Sequence, residues 1–193
     1  MGKALSEMTM EELWELFPII LKDHDPDYKN WYEIQKNAIT DRLGDRIIKR
    51  INHMGSTAVP GLPAKPTVDI LLEIAEHCDP EEVKEHLLET GWILMSYEEK
   101  PELHMTFNKG YTPMGFADKV YHLHVRFYGD WDELYFRDYL AEHADAAAGY
   151  AALKEQLMKQ YKHNRDAYTA AKSEFVKKYS DKARECYGDR YRP

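Results

Sequence analysis

One acidic residue lies in the middle of an apolar run, and this run constrains the fold more than any other part of the chain. The run is Val68 to Leu72, and it contains Asp69. It follows a loop with three prolines, and that loop follows the dipeptide Gly55-Ser56. A buried carboxylate is costly unless it is paired or binds a metal ion. We therefore predict a buried strand over 67–74 in which Asp69 has a chemical role.

The rest of the chain alternates between helical and strand patterns. Helical periodicity covers 6–21, 28–43, 80–90, 134–140, 145–161 and 165–186, and strand patterns cover 46–53, 92–95, 104–108 and 120–127. At 193 residues with 44% hydrophobic content, the chain suits a single domain. We predict an α+β fold over 1–193, with a short mixed sheet flanked by helices. Residues 1–27 form an N-terminal extension, and residues 130–193 form C-terminal helices packed on the core.

Charge and cysteine content narrow the class of protein. The net charge of −8 argues against an extended nucleic-acid surface, although it allows a local basic pocket. The two cysteines, Cys78 and Cys186, match no metal or redox spacing and fit a reducing compartment. No apolar run reaches the roughly 18 residues of a membrane span, and the N-terminus has no signal-peptide core. We expect a cytoplasmic protein that does not bind membranes.

The first candidate site is the loop that begins at Gly55. A strand that ends in Gly-Ser and enters a tight turn offers backbone N–H groups and the hydroxyls of Ser56 and Thr57 to an anion such as phosphate. Lys65 in the same loop is either a compact positive charge for that anion or a solvated lysine. Asp69 on the next strand would place a carboxylate beside the phosphates, which is the ligand combination that Mg²⁺ prefers.

The second candidate site is on the strand 120–127. His122, His124 and Arg126 alternate with apolar residues and therefore share one face. With Asp69, the two histidines would form a set suited to Zn²⁺, Mn²⁺ or Fe²⁺. Alternatively, one histidine is a general base, or both only hydrogen-bond to neighbouring backbone or to Asp69. Arg126 continues the same face and is a candidate phosphate ligand.

These motifs resemble the signature of the GrpB family, small bacterial proteins assigned to the polymerase-β-type nucleotidyltransferase superfamily. The resemblance extends over about 28–183 and rests on two kinds of segment. The specific ones are His-Met-Gly-Ser-Thr-Ala-Val-Pro-Gly-Leu (53–62), Ala-Lys-Pro (64–66) and Val-Asp-Ile (68–70), and the supporting ones are 121–125, 136–140, 150–154 and 168–175.

The resemblance implies a polymerase-β-like nucleotidyltransferase fold with a divalent metal ion, Mg²⁺ or Mn²⁺ ahead of Zn²⁺. In that superfamily the Gly-Ser loop grips a nucleoside triphosphate, and a pair of carboxylates spaced two residues apart holds two ions. Here Asp69 matches the first carboxylate, but Leu71 takes the position of the second. The resemblance also implies that Arg137 and Lys172 are cleft residues.

The function expected from this resemblance is transfer of a nucleotidyl group from an NTP to an unidentified acceptor. Gly55, Ser56 and Thr57 would hold phosphate, and Asp69 would bind metal, with the two histidines as ligands or base. Leu71 favours an alternative, a non-catalytic module that binds a nucleotide or phosphorylated metabolite. A third possibility is a hydrolase with one metal ion held by Asp and His ligands.

Overall fold

A five-stranded mixed sheet forms the centre of the molecule. The computed structural model describes residues 3–193. The strands are β1 (Ile48–Met54), β2 (Thr67–Ile74), β3 (Ile93–Glu98), β4 (His104–Thr112) and β5 (Gly115–Phe127). Their order is β1-β2-β5-β4-β3, with β2 parallel to β5 and the other neighbours antiparallel. The predicted mixed sheet and its α+β class are confirmed.

Seven α-helices flank this sheet within the described residues. They are α1 (Met10–Leu16), α2 (Tyr28–Leu43), α3 (Pro80–Glu89), α4 (Asp132–Glu142), α5 (Ala144–Tyr161), α6 (Arg165–Ala170) and α7 (Ser173–Tyr187). A 3₁₀ turn also covers Ser56–Ala58. In residues 3–193, no helix combines the length and the apolar character that crossing a membrane requires.

Two sequence-based boundaries are wrong in ways that matter for the site. The helix predicted over 165–186 is two helices, because the helical conformation is interrupted at Ala171 and Lys172. The strand predicted over 120–127 begins at Gly115, where it pairs with Thr112 in an antiparallel hairpin. The extension shows no alternation of apolar and polar residues, and most of its side chains are exposed, so the sequence pattern did not reveal it. The hairpin carries Tyr111, which contacts the site described below.

One face of the sheet packs in the main hydrophobic core. Val68, Ile70 and Leu72 of β2 point to this face, because side chains alternate along a strand. The helices α2 and α3 cover it with Tyr28, Tyr32, Ile39, Leu43, Val83 and Leu87. Burial of this face holds β2 and β5 in fixed register, with Asp69 opposite His122.

The opposite face of the sheet is partly polar and lies beneath the C-terminal helices. Leu71 packs with Met54 of β1 and Leu134 of α4 in a small apolar cluster. The loop after β1 packs through Val59 and Leu62 against α4, α5 and α7. Between these contacts the sheet and the helices enclose an open cleft, and the polar residues of β2 and β5 line its floor.

Candidate anion and metal cleft

The cleft has a volume of about 1000 Å³ and brings together most of the residues that the sequence singled out. They come from the loop after β1, from β2, from β5 and from the C-terminal helices. The predicted residues that line it are Gly55, Ser56, Thr57, Lys65, Asp69, His122, His124, Arg126 and Lys172. Arg137 is not among the lining residues. Several residues line it without having been predicted. Those used below are Lys154, Arg165 and Tyr168 near the Gly-Ser loop, and Trp131 and Glu133 near Arg126.

Gly55 lets the loop after β1 approach the carboxylate of Asp69 closely. Its φ is +72°, a backbone conformation that residues with a Cβ rarely adopt. A Cβ built at this position would overlap Oδ2 of Asp69. The residue is therefore a glycine for two steric reasons, its positive φ and its close approach to Asp69. Its contact with phosphate stays a prediction.

Asp69 is held in a chain of hydrogen bonds that reaches α6. Its Oδ1 lies 3.0 Å from Nδ1 of His122, and Nε2 of that histidine lies 2.8 Å from the Tyr111 hydroxyl. Arg165 in turn donates to the Tyr111 oxygen at 3.0 Å. Burial opposes ionisation of Asp69, but the hydrogen bond and charge of His122 outweigh it and lower the pKa to about 2. Asp69 is therefore ionised at neutral pH.

His124 completes a group of three possible metal ligands. One ligand atom each from Asp69, His122 and His124 can be chosen within 4.8 Å of the others, and it is the one such group found in residues 3–193. Burial lowers the pKa of His124 to about 4, so its imidazole is neutral and free to act as a ligand. One carboxylate with two imidazoles suits Mn²⁺, Zn²⁺ or Fe²⁺ better than Mg²⁺. Tyr111 on the far nitrogen of His122 is the kind of partner that orients a ligating histidine.

The hydroxyl of Thr57 is occupied within the protein. It donates to the carbonyl of Thr67 at 3.2 Å and lies 3.0 Å from Nε2 of His53. Because the hydroxyl hydrogen goes to the carbonyl, the His53 nitrogen must be the donor in the second contact. Burial lowers the pKa of His53 to about 4, which agrees with a neutral ring stacked on Tyr32. Thr57 therefore fixes the loop to β2 and leaves Ser56 as the hydroxyl available to a ligand.

The side chain of Lys154, in α5, contacts the loop that begins at Gly55. It is only 3% exposed, and its ammonium donates to Oγ of Ser56 at 3.0 Å and to the carbonyl of Pro63. Burial, with the charges of Lys172 and Lys65, lowers the pKa of Lys154 to about 7. The sequence pattern did not identify Lys154 as a site residue. The signal was its phase, because Lys154 falls on the same buried stripe of α5 as Tyr150 and Leu157.

Two further lysines converge on the same end of the cleft. The ammonium groups of Lys65 and Lys172 lie 5.9 Å and 4.6 Å from the centre of the Tyr168 ring. Burial and the charges of Lys172 and Arg165 lower the pKa of Lys65 to about 8, and burial lowers that of Lys172. Lys172 reaches this position because it lies in the short non-helical connection between α6 and α7. The three lysines form what we call the lysine cluster: Lys65, Lys154 and Lys172.

Arg126 lies at the other end of the cleft floor. Its Nη2 donates to Oε1 of Glu133 at 3.3 Å, and its guanidinium lies 5.4 Å from the centre of the Trp131 ring. Its Nε and Nη1 are buried and have no hydrogen-bond partner. Arg126 lies on the same face of β5 as His122 and His124, as the alternation of side chains along the strand predicted.

Arg137 has a structural position outside the cleft. It donates to the carbonyl of His53 at 2.9 Å and to the hydroxyl of Tyr191 at 2.8 Å, and it pairs with Asp138. These contacts join α4 to the end of β1 and to the C-terminal segment. The expectation that Arg137 lines the cleft is corrected, because its phase on α4 turns it toward β1.

Comparison with known proteins identifies the family of this chain. A model of the GrpB protein family matches residues 18–182. The UPF0157 protein PA4798 of Pseudomonas aeruginosa is 40% identical over 154 residues, which are 79% of this chain and 62% of that protein. The glutamate-rich protein GrpB of Alkalihalophilus pseudofirmus is 32% identical over 162 residues, which are 82% of this chain and 91% of that protein. This chain therefore spans less than two thirds of the Pseudomonas relative and nearly all of the other.

The fold is also found in a solved structure. The crystal structure of the conserved protein GrpB from Enterococcus faecalis matches with a TM-score of 0.72, covering 87% of this chain and 99% of that one. Sequence identity in this match is 24%, so it supports the shared fold and nothing finer.

Proposed function

This chain belongs to the GrpB family, and from the chemistry of its cleft we propose that it binds a nucleoside triphosphate and transfers the nucleotidyl group to an acceptor. The observation that carries the proposal is the lysine cluster beside Asp69 and its two histidines. A triphosphate carries enough negative charge to pair with the three lysines. Asp69, His122 and His124 could hold a divalent ion next to the phosphorus at which a bond forms and another breaks.

The lysine cluster needs an anion of high charge. Three ammonium groups converge at one end of the cleft, and Asp69 is the carboxylate whose charge favours the protonated forms of Lys65 and Lys172. Burial without sufficient counter-charge explains why the pKa of Lys154 falls to about 7. A bound polyphosphate would supply that counter-charge and raise these pKa values again. Ser56 and Arg165 would add hydrogen bonds to the same phosphates.

Asp69, His122 and His124 would hold a divalent ion, and the donor set favours Mn²⁺ over Mg²⁺. Such an ion polarises phosphoryl oxygens and offsets charge that develops on them. Leu71 is fully buried in an apolar cluster, so no second carboxylate is available two residues after Asp69. We therefore propose a one-ion site rather than the two-ion site of the wider superfamily.

The protein's own residues would divide the remaining work. In the transfer, a bond forms between an acceptor oxygen and the α-phosphorus, and the bond from that phosphorus to the β-bridging oxygen breaks. Pyrophosphate leaves and the acceptor's proton passes to water. The lysine cluster would bind the leaving pyrophosphate and stabilise its charge. The Gly-Ser loop, β2 with Asp69 and the parallel strand β5 follow the arrangement expected for a polymerase-β-like fold, which we propose as the ancestry of this chain.

A second candidate function follows from Leu71. A site in which Asp69, His122 and His124 would hold one ion also suits hydrolysis of a phosphoanhydride such as that of an NTP, because a bound ion would make water a better nucleophile. The two candidates differ in their acceptor and can be separated by their products. A module that binds phosphorylated ligands without turnover is the third outcome.

The test uses the full chain with each of the four NTPs, labelled in the α-phosphate, and either Mn²⁺ or Mg²⁺. We expect pyrophosphate release with Mn²⁺ in the presence of a pool of small metabolites, and transfer of the label to one of them. Asp69→Asn should abolish release, whereas Arg137→Gln should keep it, because that residue lies outside the cleft. Release of inorganic phosphate without label transfer would establish the hydrolase instead. Nucleotide binding without any product would overturn catalysis in either form.

A further inference from the structure

We propose that the cleft contains a second anion-binding subsite, centred on Arg126, which takes a carboxylate or phosphate group of the acceptor molecule. Assignment of this ligand as the acceptor rests on the proposed nucleotidyl transfer. The anion subsite itself rests only on the geometry around Arg126.

The position of Arg126 separates it from the lysine cluster. The parallel strands β2 and β5 start at the pair Thr67 and Val120 and end at Ile74 and Phe127. Lys65 precedes the start of β2, whereas Arg126 is one residue from the end of β5. It lies two residues beyond His124 on the same face, which is about 7 Å along the strand. The metal-ligand group therefore lies between the lysine cluster and Arg126. The Arg126 end is also lined by carboxylates: Glu133 contacts Arg126, and Asp130 and Asp132 are paired with Arg184.

The neighbouring charges are in keeping with the strand positions. The charges of Lys172 and Lys65 act on Lys154, whereas those of Arg126 and Glu133 act on His124. A triphosphate gripped by the lysine cluster with its α-phosphate near Asp69 would leave Arg126 on the far side of the reacting phosphorus. That is the side from which an acceptor attacks in line with the leaving pyrophosphate.

Arg126 is held in a state that favours an additional partner. The residue is 7% exposed, yet two of its three guanidinium nitrogens have no hydrogen-bond acceptor. A buried charged group that lacks acceptors is costly, and a guanidinium offers its N–H groups in a fork that matches a carboxylate or phosphate. The Trp131 ring supports one side of the guanidinium at 5.4 Å and limits its movement.

Glu133 covers this subsite weakly. Its Oε1 meets a single nitrogen of Arg126 at 3.3 Å, and its side chain is 38% exposed. A contact of this kind, to one nitrogen and from a carboxylate side chain more than one third exposed, contributes little to stability. Glu133 can turn into solvent from the first turn of α4, and an incoming anion would then meet the guanidinium in its place.

The test follows the indole N–H of Trp131 by NMR on the full chain while inorganic phosphate is added. This N–H donates to the carbonyl of Phe127, next to Arg126, and so reports on the subsite directly. We expect saturable shifts in the wild type and in Lys154→Met, which retains the subsite but lacks one lysine of the cluster. Arg126→Met should lose the shifts.

Glu133→Gln is the matched variant, because it keeps the shape of the covering side chain and removes its charge. We expect it to tighten phosphate binding at the subsite about threefold. A parallel titration with acetate assigns the preferred ligand: tighter acetate binding indicates a carboxylate acceptor, and tighter phosphate binding indicates a phosphorylated one.

Several results would overturn the proposal. They are an unmoved Trp131 signal in the wild type and in Glu133→Gln, equal shifts in Arg126→Met, or loss of the shifts in Lys154→Met. Because Glu133 is partly exposed, Glu133→Gln remains informative if Arg126→Met fails to fold. If no NTP releases pyrophosphate but the Trp131 titration behaves as expected, the anion subsite stands and only its assignment to an acceptor falls.

Discussion

The two faces of β2 and β5 are built from alternate residues of the same strands, yet they serve different purposes. On one face Ile70 and Leu72 are fully buried among α2 and α3. On the other face Asp69, with His122 and His124 from β5, lines an open cleft. Residues that stabilise the fold and residues available for chemistry are therefore neighbours in the sequence, because successive residues of a strand point to opposite sides of a sheet.

The largest expected effect comes from changing neighbours on the two faces. Asp69→Asn should lower nucleotidyl transfer at least about 100-fold, because it removes the one carboxylate of the ligand group. Ile70→Val should lower the free energy of unfolding by about 1 kcal/mol and leave the rate per folded molecule nearly unchanged. Both are checked by pyrophosphate release together with urea unfolding. Similar losses of rate in the two variants would show that the faces are not separable.

A second contrast sets binding against stability within the cleft. Lys154→Met should weaken binding of pyrophosphate about 10- to 100-fold, because it removes a charged hydrogen-bond donor. The same change should raise the free energy of unfolding by about 1–2 kcal/mol, since a buried, poorly compensated charge is replaced by an apolar chain of similar size. Calorimetric titration and urea unfolding measure the two effects. A destabilised variant with unchanged affinity would contradict the role assigned to this lysine.

The affinity of the cleft for anions should depend on pH through the lysine cluster. Lys154 and Lys65 have lowered pKa values of about 7 and 8, so both lose protons as the pH rises toward 9. Sulfate keeps a constant charge over pH 6–9, and its affinity should fall by about threefold to tenfold across this range. Lys154→Met should show a flatter profile.

Stability of the ligand-free protein should change in the opposite direction. The pKa of Lys154 is about 7 when folded and 10.5 as a reference for the unfolded chain, so the unfolded state binds more protons between these values. The free energy of unfolding should therefore rise with pH from about 7 toward 10. A fall over this interval, relative to Lys154→Met, would contradict a buried ammonium with insufficient counter-charge.

The smallest effect on binding is expected from Arg137→Gln. This residue joins β1 to the C-terminal segment through His53 and Tyr191, and it does not line the cleft. Sulfate affinity should stay within about twofold of the wild type, while the free energy of unfolding falls by about 1–2 kcal/mol. A large loss of affinity at unchanged stability would return Arg137 to the binding site.

The sequence alone predicted correctly those elements in which polar and apolar residues recur with a regular period. The alternation of β5 placed His122, His124 and Arg126 on one face, and the isolated carboxylate of Asp69 marked the strand beside them. Helix α2 and strand β2 were predicted with their observed bounds. In each case a local pattern determines which way a side chain points.

The features that the sequence did not predict depend on contacts between segments that are far apart in the chain. Lys154 resembles an ordinary surface lysine until the burial of Tyr150 and Leu157 on the same stripe is considered. Tyr111 and Arg165 join the site only through the β4–β5 hairpin and the start of α6. Periodicity also could not show that the helix breaks at Lys172, since the break depends on how α6 and α7 pack over the cleft.

In the proposed complex, one divalent ion at Asp69 and a polyphosphate on the lysine cluster occupy the same cleft. The most direct test is a crystal structure with Mn²⁺ and a nucleoside triphosphate whose α–β bridging oxygen is replaced by methylene, recorded at the manganese absorption edge. We expect one anomalous peak in contact with Asp69 and at least one of His122 and His124, with β- and γ-phosphate oxygens bound by Lys154. A nucleotide bound elsewhere on the surface, or bound in the cleft without manganese at Asp69, would contradict it.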